Sequence, residues 1–331
     1  MGSKKKIIGV GNALMDVVVK NISEAILEQN NLPKGSMILV DSATSARINI
    51  ETASFERILA PGGSVANTIH GLASLGVETA FVGKVGLDKM GEIYRLELEK
   101  NGANPMLFKS ETTPTGVAMA LVTPDSERTF ATCLGAAIEM VADELTIDLF
   151  RDYDIAYIEG YLVQNHDLVR KALEMARKAG LTIALDLASY NVVEDNIDFL
   201  NEVLEPYVDI IFANEEEAKA FTGKEPEEAI RLLSKICDIA VVKTGKTGSL
   251  IKHADHEEHI GIIGKKCVDT TGAGDLYAAG FLYGFAQNYS LKTCGTIASL
   301  VAGYVVNVYG ARMDEAIWSQ IRNEISDMIK Q

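Results

Sequence analysis

Apolar runs rich in Val, Ile and Leu alternate with amphipathic helical patterns along most of the chain. The runs predicted to be buried strands are IIGVG, TAFVGKVG, IAYIEG, LTIALDL, DIIFAN and IAVVK. The segments predicted to be helices are SVANTIHGLASLG, DLVRKALEMARKAG, PEEAIRLLSKI and the last segments of the chain. Near-continuous apolar strands separated by helices are typical of a parallel sheet that is covered on both faces. The pattern therefore predicts an α/β fold with a mostly parallel central sheet flanked by helices.

Two stretches depart from this rhythm. They contain short alternating segments such as MILVDS and GVAMALVTPDSERTF. Antiparallel strands with solvent on one side show such alternation. We infer a small β-sheet lid made of residues 13–50 and 105–133. The lid is inserted into an α/β core made of residues 1–12, 51–104 and 134–331.

Composition and charge narrow the class of protein. The chain has 331 residues, 47% of them hydrophobic, which is enough for a large globular core. Its net charge of −15 argues against a nucleic-acid-binding surface, which would need a basic face. The four cysteines show no paired metal spacing, and the start of the chain lacks the apolar run of a secretory signal. We therefore expect a cytoplasmic protein with no nucleic-acid partner and no membrane-spanning segment.

The stretch DTTGAGDLYAAGFL at residues 269–282 combines small residues, a carboxylate and an apolar pattern. The apolar positions after Asp275 recur at helical spacing, which predicts that Asp275 lies in the first turn of a helix. Unpartnered amides and the helix dipole favour an anion there, and Gly272, Ala273 and Gly274 let a phosphate approach closely. The alternative is that Asp275 only caps the helix.

The stretch GVGNALMD at residues 9–16 begins like a dinucleotide-binding fingerprint but does not complete it. Leu14 stands where the third glycine belongs, so the close helix–strand packing of that motif is not provided. Asn12 and Asp16 are short polar side chains near a predicted strand end, where α/β sheets place ligands. Both are suited to bind hydroxyl groups, and ordinary turn chemistry is the alternative.

The stretch PGGSVANTIHGLASLG predicts a glycine turn followed by a helix. Gly62 and Gly63 allow the backbone to lie against a ligand. Asn67, in the first turn of the helix, offers both a donor and an acceptor, which suits a sugar diol. The alternative is an ordinary helix start in which Ser64 is the cap.

Two further places could organise a phosphate and its metal. In ANEEEAKAF, Asn214 ends a strand and Glu217 follows one helical turn later, an arrangement that can hold hydrated Mg²⁺ through water. The alternative is an acidic first turn that complements the helix dipole. Arg128, in the predicted lid, could close over a transferring phosphate or could form a surface salt bridge.

Two motifs look like known sites but lack their context. TGKTG at residues 244–248 resembles the end of a Walker loop, yet Ala240 stands where the first glycine belongs and a strand follows. Gly245 and Gly248 could still form a tight turn that lines a nucleotide. The histidine-rich segment HADHEEH at residues 253–259 has strand-like flanks and is predicted to be the tip of a solvated hairpin.

These motifs occur together in an order that resembles the ribokinase (PfkB) family of carbohydrate and nucleoside kinases. PGGSVANTIHGLASLG resembles the N-terminal signature of the family, and KCVDTTGAGDLYAAGFL resembles its C-terminal signature. The NEEE segment between them resembles the N-x-x-E element, and the resemblance covers essentially the whole chain. It implies a Rossmann-like core, a β lid, ATP with Mg²⁺ as cofactors, and phosphorylation of a primary hydroxyl.

The resemblance also implies a role for each candidate residue. Asp275 would be the general base, and the anion hole for the γ-phosphoryl group would come from the amides of Gly272, Ala273 and Gly274. The residues assigned to the substrate are Asn12, Asp16, Gly62, Gly63, Asn67, Arg128 and Tyr161. The residues assigned to the nucleotide are Asn214, Glu217, Gly245, Gly248 and Asn307, with Glu217 also holding Mg²⁺ through water. A monovalent cation such as K⁺ is assigned to Asp269, Thr271 and Gly310.

The substrate is indicated by finer features. GNALMD resembles the opening of adenosine kinases, and the interval from Asp16 to Gly62 is closer to theirs than to the shorter lid of ribokinases. Tyr161 could stack on a purine, because aromatic rings prefer offset stacking. We expect conversion of adenosine and ATP to AMP and ADP, a purine-salvage reaction, by a monomer or a lid-mediated homodimer. The alternative within the family is a kinase of ribose, fructose or a keto-sugar acid.

Two alternatives lie outside the family. A dinucleotide-dependent oxidoreductase is disfavoured because Leu14 interrupts the fingerprint. A non-catalytic nucleotide sensor is disfavoured because Asp275 is present. Tight NAD binding without ATP turnover would support the first, and ligand binding without phosphoryl transfer the second.

Overall fold

The strands form two sheets in a computed structural model that describes residues 5–125, 127–264 and 267–330. Numbered along the chain, the strands are β1 (Ile7–Val10), β2 (Leu14–Val19), β3 (Met37–Leu39), β4 (Arg57–Gly62), β5 (Thr79–Gly86), β6 (Ala103–Ser110), β7 (Thr115–Val122), β8 (Arg128–Gly135), β9 (Ile155–Glu159), β10 (Thr182–Asp186), β11 (Ile210–Asn214), β12 (Ile239–Lys243), β13 (Ser249–His253) and β14 (His256–Ile260).

Helices lie between most of these strands and after the last one. They are α1 (Glu24–Gln29), α2 (Ser42–Glu51), α3 (Ser64–Ser74), α4 (Lys89–Lys100), α5 (His166–Lys178), α6 (Tyr190–Asp195), α7 (Ile197–Tyr207), α8 (Glu215–Thr222), α9 (Pro226–Leu233), α10 (Ala273–Ala286), α11 (Leu291–Val305) and α12 (Glu315–Ile329). Short 3₁₀ turns span Ala136–Glu139, Ala142–Glu144, Ile147–Leu149, Gly160–Gln164 and Gly245–Thr247. In the described part of the chain, no helix is both long and apolar enough to cross a bilayer.

The large sheet has nine strands in the order β14-β13-β12-β11-β10-β9-β1-β5-β6. Every pairing from β12 across to β6 is parallel, and only β13 and β14 add antiparallel pairings at one edge. The α/β fold with a mostly parallel sheet is therefore confirmed. The segment TAFVGKVG forms β5 without a change of boundary, and HADHEEH lies across the β13–β14 hairpin as predicted.

Each central strand contributes alternate side chains to two hydrophobic cores. On β1, Ile7 packs into the core with α10 and α11, whereas Ile8 packs into the core with α5 and α7. This follows from the strand period of two residues, and it explains why the strands of a doubly covered sheet are apolar throughout. In the first core, the rings of Tyr157 and Phe281 both meet Phe212 edge to face.

The small sheet has five strands in the order β3-β8-β7-β2-β4. One face packs on α1 and α2 through a third core that contains Val17, Val19, Ile48 and Met119. The prediction of antiparallel strands is only half right, since β2–β7 and β3–β8 are parallel pairs. Alternation of apolar and polar residues indicates that one face of a strand is covered, but it does not indicate the direction of the neighbouring strand. The two parallel pairs could therefore not be predicted from it.

Two strands, β4 and β6, belong to a different sheet from the one that the predicted boundaries between core and lid gave them. β4 pairs with β2 in the small sheet, although the sequence placed residues from 51 onward in the core. β6 pairs with β5 in the large sheet, although the second segment of the lid was predicted to begin at 105. β6 is a half-buried edge strand, so its sequence resembles that of a lid strand. The division of the chain into a core and a lid domain otherwise stays a prediction.

Candidate active site

Polar residues collect at the carboxyl ends of the central parallel strands. Glu159, Asp186, Asn214 and Lys243 are the last residues of β9, β10, β11 and β12, and Asn12 follows β1. The register pairs Asp186 with Glu159 and Lys243 with Asn214. It also pairs Asp186 with Phe212, so Asn214 and Lys243 extend two residues farther past this edge than Glu159 and Asp186. Ligands of α/β proteins bind beyond this edge of the sheet.

Asp275 lies in the first turn of α10, as predicted. Its two carboxylate oxygens accept hydrogen bonds from Ser64 Oγ at 2.7 Å and from Asn67 Nδ2 at 2.9 Å. Burial raises the pKa of Asp275 to about 6, and these two hydrogen bonds oppose the rise. The carboxylate is therefore fixed in place, and its pKa lies close to neutrality, where a general base works best.

The turn before α10 differs in detail from the predicted anion hole. Gly272 has a φ of +75°, and a β-carbon there would overlap the side chain of Ala311, so glycine is required. The Ala273 amide donates to Thr270 O at 3.1 Å and is not free for a phosphate in this conformation. The amides of Gly272 and Gly274 have no acceptor among the described residues, so these two fit the predicted role.

The glycine pair before α3 makes room for protein atoms. A β-carbon on Gly62 would overlap the Asp16 carboxylate, and one on Gly63, whose φ is +96°, would overlap the Asn12 carbonyl oxygen. Gly63 is the N-terminal cap residue of α3, so the alternative in which Ser64 is the cap is wrong. Ser64 is free to donate to Asp275 instead.

The predicted substrate residues Asn12 and Asp16 have different surroundings. Asn12 Nδ2 donates to Glu159 Oε1 at 2.7 Å, and Glu159 also accepts from the Val65 amide at 3.2 Å. Asp16, on β2 of the small sheet, lines a cavity. Burial raises the pKa of Asp16 to about 7, Arg312 opposes the rise and Asp275 adds to it.

The cavity has a volume of about 390 Å³ and lies between the small sheet and the loop that precedes α12. Its wall includes four residues predicted from the sequence, namely Asp16, Asn67, Arg128 and Gly310. Tyr161 is not part of this wall and packs against the core that contains Ile8. Tyr309 supplies an aromatic ring to the cavity instead.

Asn214 and Glu217 form a reciprocal capping box at the start of α8. Glu217 accepts from the Asn214 amide at 2.8 Å and from Asn214 Nδ2 at 2.6 Å, and the Glu217 amide donates back to Asn214 Oδ1 at 2.8 Å. Glu217 is 2% exposed, and burial raises its pKa to about 7. Among the described residues, no three His, Cys, Asp or Glu side chains are grouped to hold a metal ion. Mg²⁺ bound here would depend on water and phosphate oxygens, which fits the way Mg²⁺ is usually held.

The residues assigned to a monovalent cation hold one another and an arginine. Asp269 accepts from the Thr271 hydroxyl at 2.8 Å and from the Gly310 amide at 2.6 Å. Arg128 Nη1 lies 2.8 Å from Asp269 Oδ2 and 2.9 Å from Thr271 Oγ1. The guanidinium already neutralises this buried carboxylate, so in this conformation the three residues do not fit a K⁺ ion. The contact is also a direct link from the small sheet to the segment before α10.

The remaining nucleotide residues lie in turns. Gly245 and Gly248, with φ of +53° and +108°, form the predicted tight turn between β12 and β13, and a strand rather than a helix follows it. Asn307 is exposed and donates to Gly303 O at 2.5 Å, which caps the end of α11. Their contact with a nucleotide stays a prediction.

Several polar residues of the site were missed in the sequence. Ser64 was considered only as a possible cap, in the alternative to a binding site. Arg312 was not singled out, although it lines the cavity and donates to Pro61 O at 2.6 Å. Glu159, Asp186 and Lys243 each end an apolar run, and that position is the signal that could have identified them.

Comparison with known proteins agrees with this fold and with the two signature segments. The model of the family described as pfkB family carbohydrate kinase matches residues 39–317. A nucleoside kinase of Methanothermobacter thermautotrophicus is 31% identical over 258 residues, which are 76% of this chain and 80% of that protein.

Two solved structures are similar over almost the whole chain. The adenosine kinase of Sinorhizobium meliloti has a TM-score of 0.87 and 32% identity, covering 97% of this chain and 100% of that one. A probable sugar kinase of Rhizobium etli has a TM-score of 0.88 and 29% identity, covering 98% and 99%. With the family match spanning both signatures, the chain belongs to the PfkB family of carbohydrate kinases.

Proposed function

We propose that the chain is an ATP-dependent nucleoside kinase that phosphorylates the 5′-hydroxyl of adenosine to give AMP and ADP. The observation that carries the proposal is the Asp275 carboxylate. It is held by Ser64 and Asn67 at the start of a helix, and Asn67 in turn lines the cavity. Membership of the family supports an ATP-dependent kinase of a sugar or nucleoside, and adenosine as the substrate is part of the proposal.

In the proposed reaction Asp275 accepts the proton of the substrate hydroxyl. Because Ser64 and Asn67 donate to both of its oxygens, the carboxylate keeps one orientation while the substrate approaches. Its pKa of about 6 leaves it ionised at neutral pH, yet basic enough to take a proton in the transition state. The Gly274 amide and the dipole of α10 favour negative charge next to it. When bound, ATP with Mg²⁺ would supply the phosphoryl group, and Asn214 and Glu217 would hold the metal through water.

The lining of the cavity supports a nucleoside rather than a free sugar. Apolar side chains of Val18, Ile58, Val122 and Tyr309 form part of its wall, next to the Asp16 carboxylate. A base would cover this apolar surface, and the ribose hydroxyls would donate to Asp16. A free sugar would leave the apolar part in contact with water, which is unfavourable by about 25 cal/mol for each Å².

The proposal is tested by ADP release from ATP with Mg²⁺ in the presence of adenosine, inosine, guanosine, cytidine, ribose or fructose. We expect the highest kcat/KM with adenosine. If only ribose or fructose of the six is phosphorylated, the protein is still a kinase of this family, but its substrate is a sugar and not a nucleoside. Turnover with none of the six would overturn the proposal.

A further inference from the structure

We propose that Lys243 is a further catalytic residue, whose ammonium group contacts the phosphoryl group during transfer, and that Asp186 is the residue that positions it. This inference rests on the proposed function, since it concerns the same site. Lys243 ends β12 and Asp186 ends β10, so both come from rigid strands of the large sheet.

The hydrogen bonding of Lys243 leaves donors without partners. Its side chain is 15% exposed, and Nζ donates to Asp186 Oδ2 at 2.9 Å. An ammonium group has three N–H donors, and no other acceptor for Lys243 is found among the described residues. Unused donors on a largely buried charge are unfavourable unless a ligand takes them, so this arrangement indicates an anionic ligand.

The position of the ammonium indicates which anion. A β-carbon placed on Gly274 would lie 3.3 Å from Lys243 Nζ, so the charge lies beside the first turn of α10. Gly274 also carries an amide that has no acceptor in the described residues. A fixed positive charge beside a free helix N-terminal amide is an arrangement that stabilises the equatorial oxygens of a transferring phosphoryl group.

Asp186 holds the ammonium in this position. Its second oxygen, Oδ1, accepts from the Ala188 amide at 2.9 Å, so the carboxylate is fixed to the turn after β10. Burial alone would lower the pKa of Lys243, but Asp186, Glu217 and Asp275 raise it above its ordinary value. The ammonium therefore stays charged throughout the pH range in which Asp275 is an active base.

The test compares the full-length wild type with Lys243→Met and with the double variant Lys243→Met/Asp186→Asn. The double variant removes both members of the buried pair, so the Asp186 carboxylate is not left without its hydrogen-bonded partner where the single variant is destabilised. Lys252→Met is the matched control. Lys252 is 16% exposed and pairs with Glu257, and it lies at the opposite end of the β12–β13 pair from Lys243.

We expect kcat for adenosine to fall about 100- to 1,000-fold in Lys243→Met and in the double variant. The KM for adenosine should change by less than about threefold, because the ammonium acts on the phosphoryl group and not on the nucleoside. Affinity for a non-hydrolysable ATP analogue with Mg²⁺ should fall in both variants, whereas affinity for ADP should not. The Lys252→Met control should match the wild type in all of these.

Two results would overturn the inference. The first is a double variant that folds and keeps kcat within about threefold of the wild type, which would reduce Lys243 to an ion-pair partner of Asp186. The second is equal affinity of wild type and Lys243→Met for the ATP analogue. Absence of turnover in the wild type would instead refute the proposed function, and the analogue-binding comparison would still decide the role of Lys243.

Discussion

Replacing Asp275 with asparagine should greatly slow phosphoryl transfer and, at neutral and alkaline pH, stabilise the fold. Burial raises the pKa of this carboxyl from 3.8 to about 6. The folded protein therefore binds this proton more tightly than the unfolded chain does. The stabilisation from protonation is complete below pH 3.8 and is lost as the pH rises through about 6. Asparagine is neutral at every pH and avoids this loss.

The magnitude follows from the pKa. A rise from 3.8 to about 6 corresponds to about 3 kcal/mol of unfolding free energy above pH 7, since one pKa unit is about 1.4 kcal/mol. The amide can be accommodated without a steric change. Ser64 still donates to the remaining oxygen, and Asn67 Oδ1, which has no partner among the described residues, can turn to accept from the new NH₂ group.

The assay is urea unfolding of wild type and Asp275→Asn at each pH from 4 to 8, with ADP release measured in parallel. We expect equal stability near pH 4, a variant more stable by about 3 kcal/mol at pH 8, and kcat reduced about 100- to 10,000-fold. Asp255→Asn, in the exposed turn of the β13–β14 hairpin, is the control and should change neither quantity. A variant that is less stable at pH 8, or a stability gap that does not change with pH, would refute the reasoning.

Three further substitutions test other parts of the site. Gly272→Ala should destabilise the protein by about 2 kcal/mol or more in urea unfolding, because it combines a positive φ with overlap on Ala311. Gly180→Ala has a similar φ of +81° but open space around it, so an equal loss there would contradict the overlap argument. Asp16→Asn should raise the KM for adenosine about 10- to 100-fold above pH 7. It should also remove the pH dependence of KM near pH 7, measured from pH 6 to 9. A KM equal to that of wild type would show that this carboxylate does not bind the substrate. Arg128→Met should lower stability by about 3 kcal/mol, because it leaves a buried carboxylate unpaired, and an unchanged urea midpoint would show that the pair is not needed.

The large sheet could be predicted because each of its central strands is an apolar run with a polar end. TAFVGKVG and IAVVK correspond to β5 and β12 residue for residue, since both of their faces are buried. The strands β4 and β6 could not be assigned in this way. They lie at sheet edges, so their burial is incomplete, and the sequence does not record which sheet an edge strand joins.

The site was predictable where one local segment contains the chemistry. The glycine-rich turn and Asp275 are adjacent in sequence, and their helix start is a local property. The partners of Asp275 are 208 and 211 residues away, so their contact depends on packing of α3 against α10. The pair Arg128–Asp269 is a further example. Each residue was singled out for a different ligand, and only the fold brings the guanidinium onto the carboxylate.

The carboxyl groups of the site are buried, and burial disfavours their ionised form. Burial raises the pKa of Asp16 and Glu159 to about 7 and that of Asp275 to about 6, so ionising each one lowers the stability of the fold. Lys243 and Arg312 offset part of this, because each lowers the pKa of a neighbouring carboxyl. Neutral side chains of the same shape would give a more stable protein at neutral pH. Three destabilising acids in one site, with two cations beside them, are therefore better explained by the needs of catalysis than by those of folding.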